Sequence, residues 1–364
     1  MHPAAPLSRP VKLWICACIA LVFCMVVVGG LTRLTESGLS IVKWKLVSGI
    51  LPPLSHQAWE EEFTAYRTSP QYAQVNHGMS LPEFQHIFWL EYIHRLLGRL
   101  VGLTFAVPLA FFWLRRKLPP PVARKMLGLT ALVGVQGVVG WYMVKSGLVD
   151  VPWVSPYRLA FHLGLAVILF CLLIHVLYSS QCFHLPHRRS PLFPLSLLTT
   201  GMVFAQILMG ALVAGLDAGL TYNTWPLMDG ALAPPGLFHL EPVWRNFFEY
   251  IPMVQFQHRW FAFAVLTIII YQHFRVMVTY KGSRIARASS GLLSLVIVQI
   301  MVGIATLLEV VPVALATLHQ AVALGVIGFC VLVNHMLYCY PESTAQQDVG
   351  LRPEGDETDD GKTA

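Results

Sequence analysis

Apolar residues run along this chain in long blocks, separated by shorter polar stretches. An α-helix crosses the hydrocarbon core of a bilayer in about 20 mostly apolar residues. Eight blocks reach that length, at about 12–31, 88–112, 126–145, 159–178, 195–215, 257–277, 289–308 and 315–338. The pattern predicts an all-α integral membrane protein with eight transmembrane helices.

The composition agrees with this prediction. The chain is 55% hydrophobic and 12% charged, whereas soluble domains carry roughly 25% charged residues. The first block follows Arg9 and Lys12 and is not followed by a small-residue cleavage site, so we interpret it as a retained helix rather than a signal peptide. The net charge of +6 comes from basic residues between apolar blocks, and we expect no nucleic-acid partner.

The basic residues also predict an orientation. They cluster before helix one and in the loops between helices two and three, four and five, and six and seven. By the positive-inside rule these loops are cytoplasmic. Both termini are therefore predicted to lie on the cytoplasmic side of a bacterial inner membrane, with membrane lipid around the helices. The acidic tail, residues 341–364, is predicted to be disordered.

The two halves of the chain repeat. EYIHRLLGRLVG in helix two matches QFQHRWFAFAV in helix six, and VQGVVG in helix three matches VQIMVG in helix seven. FHLGLAVILF in helix four matches LHQAVALGVIGF in helix eight, and GGLTRLTESGLS after helix one matches AGLDAGLTYNTW after helix five. The repeat predicts two tandem pseudo-symmetric four-helix bundles, residues 1–190 and 191–340, related by an axis along the membrane normal.

Four histidines occupy equivalent places near the starts of the even-numbered helices: His94, His162, His258 and His319. The topology puts all four near the non-cytoplasmic face. Two imidazoles at one depth in one bundle suit the axial positions of a haem iron, which predicts the pairs His94 with His162 and His258 with His319. The alternatives are interfacial histidines and, less well matched to the ligand spacing, zinc.

The remaining histidines are expected to have interfacial or solvated roles. His175, His273 and His335 fall at cytoplasmic helix ends, and the others fall in outer loops: His56, His77, His86 and His239. A stack of haems across the bilayer needs a second histidine on each ligand helix, and helix two has none. Two haem sites side by side are therefore favoured.

The halves differ in one carboxylate. Glu91 lies three residues before His94 and so on the same helix face, while Gln255 stands at the matching place before His258. Glu91 is the candidate catalytic group, either stabilising positive charge on an oxidised porphyrin substituent or accepting its proton. The alternative is an interfacial glutamate paired with Arg95 or Arg33.

Three arginines are candidate contacts for haem propionates: Arg95, Arg99 and Arg259. Charge-assisted hydrogen bonds would hold the propionates, and snorkelling to the interface is the alternative. The long loop from Arg33 to Phe88 is expected to cover the first site. The cysteines show no pairing motif, so no disulfide framework is expected.

The segments GGLTRLTESGLSIVKWKLVSGILPP, IFWLEYIHRLLGRLVG, AGLDAGLTYNTWPLMDG and QFQHRWFAF resemble the haem A synthase family, in its proteobacterial and mitochondrial branch. The resemblance extends from helix one to helix eight. The chain lacks the outer-loop cysteine pairs of another branch, so no thiol role is expected.

This resemblance implies an oxidoreductase that converts haem O to haem A for haem-copper terminal oxidases. The C8 methyl group is hydroxylated in successive steps to a formyl group with water-derived oxygen. Carried over by motif, Glu91 and His94 are essential, His94 and His162 hold the substrate haem, and His258 and His319 hold a b-type haem. A haem O synthase is the implied partner. The electron acceptor is not identified, and a homo-oligomer is left open.

Two rival functions remain open at this point. One is a quinol-linked dihaem electron-transfer cytochrome, which reduces quinone and leaves haem unmodified. The other is a non-enzymatic haem-binding oxidase assembly factor, which also releases haem unchanged.

Overall fold

A computed structural model of the protein describes residues 7–43, 48–147, 152–182 and 187–341. Within these ranges eight long helices dominate the chain: α1 (Arg9–Leu34), α2 (Leu81–Leu114), α3 (Pro120–Gly147), α4 (Pro156–Cys182), α5 (Phe193–Gly215), α6 (Ile251–Thr279), α7 (Arg284–Leu308) and α8 (Val313–Tyr338). All eight have the length and apolar composition needed to cross a membrane. The prediction of an all-α protein with eight such helices is confirmed.

Helix α2 begins well before its apolar block. Its N-cap is Ser80, whose backbone N–H donates to the Glu83 carboxylate over 2.7 Å, and Pro82 occupies the first turn. This capping box fixes a helix start in a polar segment, which hydropathy alone does not detect. His86 consequently lies in α2, and its placement in an outer loop was wrong.

The helices of each half contact one another in a closed ring. In the N-terminal half α1 and α3 each pack against both α2 and α4, and in the C-terminal half α5 and α7 each pack against both α6 and α8. The two rings meet where α4 contacts α5 and α8, and where α1 contacts α8. A tandem pair of bundles gives such contacts. The symmetry axis along the membrane normal and the cytoplasmic location of both termini stay predictions.

The main apolar cluster inside the helix assembly includes side chains from both halves, among them Ile15, Phe105, Leu173, Leu292 and Ile327. Large apolar side chains also point outward from the helices, for example Leu103, Val107, Val138 and Phe274. An exposed apolar belt of this kind fits a lipid environment, since soluble proteins rarely carry one.

The loop between α1 and α2 packs onto the first turns of α2. It contains the short helices His56–Arg67 and Pro70–Gln74, and its aromatic side chains form a cluster with those of α2: Phe63, Tyr66, Phe84, Phe88 and Tyr92. Phe63 and Phe84 stack with centroids 4.9 Å apart. The loop is thereby held beside the turn of α2 that carries Glu91.

The loop between α4 and α5 meets the end of α8. His187–Arg188 and Tyr340–Pro341 form a two-residue antiparallel ladder, and Cys339 beside it is disulfide-bonded. The expectation of no disulfide framework was therefore wrong at this position, because the lack of a cysteine pairing motif does not exclude a disulfide. The acidic tail beyond Pro341 lies outside the described residues.

Candidate haem-ligand sites

The four equivalent histidines keep similar positions on their helices. His162, His258 and His319 lie about two turns from the starts of α4, α6 and α8, and His94 lies deeper in α2 because that helix begins earlier. All four imidazoles are half-buried. Each histidine is therefore carried by a rigid helix rather than by a loop.

Each imidazole packs against a glycine on the preceding helix. A Cβ on Gly29 would lie 3.2 Å from Nε2 of His94, and one on Gly140 would lie 3.1 Å from Cε1 of His162. In the second half the matching values are 3.2 Å from Gly210 to Cε1 of His258 and 2.6 Å from Gly303 to Cε1 of His319. The four contacts repeat the same local design.

These glycines allow the helix backbone to approach the ring closely.

The two ligand candidates of each half lie near each other. His94 and His162 lie within electrostatic range of each other, and so do His258 and His319. Both pairs link an α2-type helix to an α4-type helix of the same ring. This proximity is compatible with the predicted pairs, one in each half, and the pairing stays a prediction.

The chemistry of these side chains fits a haem iron. Among the described residues, the buried Nδ1 atoms of His162 and His319 have no hydrogen-bond partner, and a buried polar atom without a partner needs an explanation such as a bound ligand, ion or water. No group of three or more His, Cys, Asp or Glu side chains in the described ranges is arranged to hold a metal ion. Two imidazoles per half suit a porphyrin iron, which needs only axial ligands.

Glu91 is almost fully buried and accepts hydrogen bonds through both oxygens. Oε2 accepts from the Ser40 hydroxyl and from the Ile41 backbone N–H, each at 2.7 Å. Oε1 accepts from Nε of Arg95 at 2.9 Å. The pairing with Arg95 weighed as an alternative is therefore present, and it ties α2 to the loop that follows α1.

The second half builds the same connection with an amide. Gln255 donates to the Tyr222 carbonyl at 3.2 Å, and Arg259 donates to the Tyr222 and Thr224 carbonyls. Residues 29–43 align without a gap with residues 210–224, which makes Tyr222 the counterpart of Ile41. The two loops even share a positive φ, 52° at Glu36 and 51° at Asp217.

The arginines that follow the histidines therefore anchor loops. Arg95 donates to the Ile41 carbonyl at 2.9 Å, as Arg259 does to Tyr222. In the structure both side chains hold a loop through hydrogen bonds to its carbonyl groups. Their contacts with haem propionates stay predictions. Arg99 lies near Arg95 at a cavity of about 200 Å³ between α2 and the loop.

Three of the remaining histidines lie toward the opposite ends of the helices. The rings of His175 and His335 are 6.5 Å apart, and His273 shares a hydrogen bond with Ser289 at 3.2 Å. Helix α2 has no histidine at that end. A second complete ligand layer is absent from the described part of the chain.

Sequence reasoning missed two groups that surround the site. Ser40 and Ile41 contact Glu91 from some 50 residues away in the chain. Gln206 on α5 contacts His258, yet only the glutamines of α3 and α7 stood out as a repeat. A signal for Gln206 exists in the spacing Gln-x-x-x-Gly, which α3, α5 and α7 share.

Comparison with known proteins gives one family. Residues 12–331 match the family model COX15-CtaA, described as cytochrome oxidase assembly protein. The chain is similar to the heme A synthase of Brucella ovis, with 48% identity over 331 residues, 89% of this chain and 90% of that protein. It is also similar to the heme A synthase of Nitrosospira multiformis, with 47% identity over 336 residues, 91% of this chain and 94% of that protein.

Proposed function

This chain belongs to the COX15-CtaA family of cytochrome oxidase assembly proteins and to the haem A synthases within it, and we propose that it oxidises the C8 methyl group of haem O to the formyl group of haem A. Two observations carry the assignment of a role to each half. One is the histidine–glycine contact that occurs four times, and the other is that the carboxylate of Glu91 is replaced by the amide of Gln255 at the equivalent position. The first half is then the site of chemistry.

The conversion has a defined balance. A methyl group and one water become a formyl group with loss of four electrons and four protons, in successive hydroxylations. The water supplies the formyl oxygen. An electron acceptor outside this chain takes up the electrons, which makes the protein an oxidoreductase.

His94 and His162 hold the iron of the substrate haem O between α2 and α4. Ligands on rigid helices restrict the substrate to one orientation, and orientation of a bound reactant is itself a large part of catalysis. Glycines at Gly29 and Gly140 let the backbone of α1 and α3 approach these ligands closely.

His258 and His319 hold a resident haem b in the second half. When bound, this haem supplies one-electron redox chemistry. The residues of this half position it: Gly210 and Gly303 contact the ligand rings, and Arg259 fixes the adjoining loop.

Glu91 stabilises positive charge that develops at the methyl carbon of the substrate. It lies one turn from His94 on the same face of α2. Its hydrogen bonds to Ser40, Ile41 and Arg95 hold the carboxylate in place before reaction, and a preorganised charge in a site of low dielectric stabilises an opposite developing charge strongly.

The protein is a multi-pass membrane protein. We place it in the bacterial inner membrane with both haem sites near the periplasmic face, because the basic loops assign the opposite face to the cytoplasm. A haem O synthase is the expected upstream partner, since it makes the substrate.

Pigment extraction followed by mass spectrometry tests this function. Purified protein is expected to contain haem b, haem O, a hydroxylated intermediate and haem A. A quinol-linked cytochrome or a haem-carrying assembly factor would yield unmodified haem alone, and that result from active membranes would contradict the proposal. Rapid reduction of quinone would favour the cytochrome.

A further inference from the structure

Three of the four histidines are contacted by a glutamine as well as by a glycine. Gln136 on α3 donates to the His162 carbonyl at 2.8 Å. Gln206 on α5 donates to the His258 carbonyl at 2.9 Å, and its amide nitrogen lies 3.1 Å from Nδ1 of the same residue.

Gln299 on α7 completes the set. Its amide nitrogen lies 3.3 Å from Nε2 of His319. Each glutamine precedes its glycine by four residues, in the segments QGVVG, QILMG and QIMVG. One helix face thus presents an amide and a bare backbone to the same histidine. The amide contacts the backbone carbonyl of His162, the ring of His319, and both in His258, so it restrains the position of each histidine.

Helix α1 breaks the pattern. Its segment reads MVVVG, with Met25 where the other helices have glutamine and Gly29 against His94. A thioether donates no hydrogen bond. Its methyl group instead packs beside Gly98, where a Cβ would lie 3.6 Å away. Among the described residues, His94 therefore receives the glycine contact without a glutamine amide contact.

Groups that orient a metal ligand from behind commonly change metal affinity by about 10- to 100-fold. We propose that Gln136, Gln206 and Gln299 are positioning residues for their histidines, and that His94, opposite Met25, is the ligand that dissociates first from the substrate iron. This inference rests on the proposed function, because it takes the first half as the substrate site.

The asymmetry matches what each haem must do. A resident haem stays bound, and both of its ligands, His258 and His319, have an amide partner. A substrate haem enters and its product leaves, so both of its iron–histidine bonds must break on each cycle, and the less restrained histidine is the one that dissociates first. In the first half His162 has the amide partner and His94 has methionine.

The replacement Met25→Gln tests the inference directly, with Met25→Leu as its matched control. Carbon monoxide binds ferrous haem only where an axial ligand has left, so its binding rate to purified, haem O-loaded protein measures ligand release. Wild type and Met25→Leu are expected to bind carbon monoxide at the substrate haem. Met25→Gln is expected to bind it about 10-fold more slowly, or to a smaller final extent.

The replacement Gln206→Leu tests the same idea in the other half and does not depend on the folding of the first variant. It is expected to make the resident haem reactive to carbon monoxide and to shift its low-spin spectrum. Unchanged reactivity in Met25→Gln or in Gln206→Leu, with haem content equal to wild type, would overturn the inference and leave the proposed function intact. If haem O-loaded wild type holds haem in the second half alone, the proposed function itself fails.

Discussion

The N-terminal and C-terminal halves fix the loop after their first helix in the same way but surround their first histidine with different side chains. Arg95 and Arg259 each donate to an equivalent loop carbonyl. Yet Glu91 and Met25 in the first half stand where Gln255 and Gln206 stand in the second. A duplicated scaffold can hence keep its packing and diverge only where chemistry is needed.

The largest effect is expected at the carboxylate. Glu91→Gln keeps the shape of the side chain and removes its charge, so haem A formation should fall by about 10²- to 10³-fold while both haems remain bound. Product formation is measured by mass spectrometry of extracted pigments, with bound haem quantified in the same sample.

The double variant Glu91→Gln with Gln255→Glu is the control for that experiment. It restores the total charge but places it in the second half, so it should stay as inactive as the single variant. Wild-type haem A production by Glu91→Gln would remove Glu91 from the reaction.

A second comparison concerns the glycines. A Cβ at Gly303 would approach His319 to 2.6 Å, closer than the 3.2 Å between a Cβ at Gly29 and His94. Gly303→Ala should therefore displace its ligand more and lower haem b retention by about 10-fold or more. Gly29→Ala should have the smaller effect on its own site. Haem per protein after purification checks both, and equal losses would contradict the geometric argument.

The contact between the halves gives a third test. Gln320, next to His319, donates to the Val26 carbonyl of α1 at 2.8 Å, and its amide occupies the space that a Cβ on Gly30 would take. Gly30→Ala should destabilise the protein by about 1–3 kcal/mol through overpacking. Gly102→Ala is the control, because nothing lies within 4 Å of its Cβ position. Thermal unfolding in detergent distinguishes the two, and equal Tm values would show that α1 and α8 do not pack tightly there.

The smallest effect is expected at the ion pair between the halves. Arg33 contacts Asp217 at 2.8 Å, and the Asp217 side chain is 55% exposed. Exposed pairs contribute about 0.2–1 kcal/mol and weaken with salt. A double-mutant cycle with Arg33→Gln and Asp217→Asn should give a coupling in that range at low salt. A coupling of several kcal/mol would indicate that the pair is essential to the docking of the two halves.

Much of the fold follows from local pattern. Membrane spans depend on length and hydropathy, which a single sequence displays, and the positions of His94, His162, His258 and His319 are visible because the halves repeat. The start of α2 could not be predicted from hydropathy, because it depends on a capping box formed by Ser80 and Glu83. The capping motif is a local sequence signal, but it lies in a polar segment outside the apolar block that predicts the membrane span.

The surroundings of the site were harder to predict. Glu91 was identified from its asymmetry, but its contacts with Ser40 and Ile41 depend on how the loop folds back onto α2. The ladder between His187–Arg188 and Tyr340–Pro341 depends in the same way on two distant segments meeting. Residues on one helix face can be recognised from their regular spacing in the sequence. Residues that tertiary packing brings together have no such spacing and cannot be recognised in this way.

The proposed function requires one iron held by one imidazole pair in each half. An experimental density map of the purified, haem-containing protein tests this most directly. Two porphyrins are expected, one with its iron between His94 and His162 and the other with its iron between His258 and His319. A map that shows either iron bound elsewhere, or a porphyrin bridging histidines of different halves, would contradict the account.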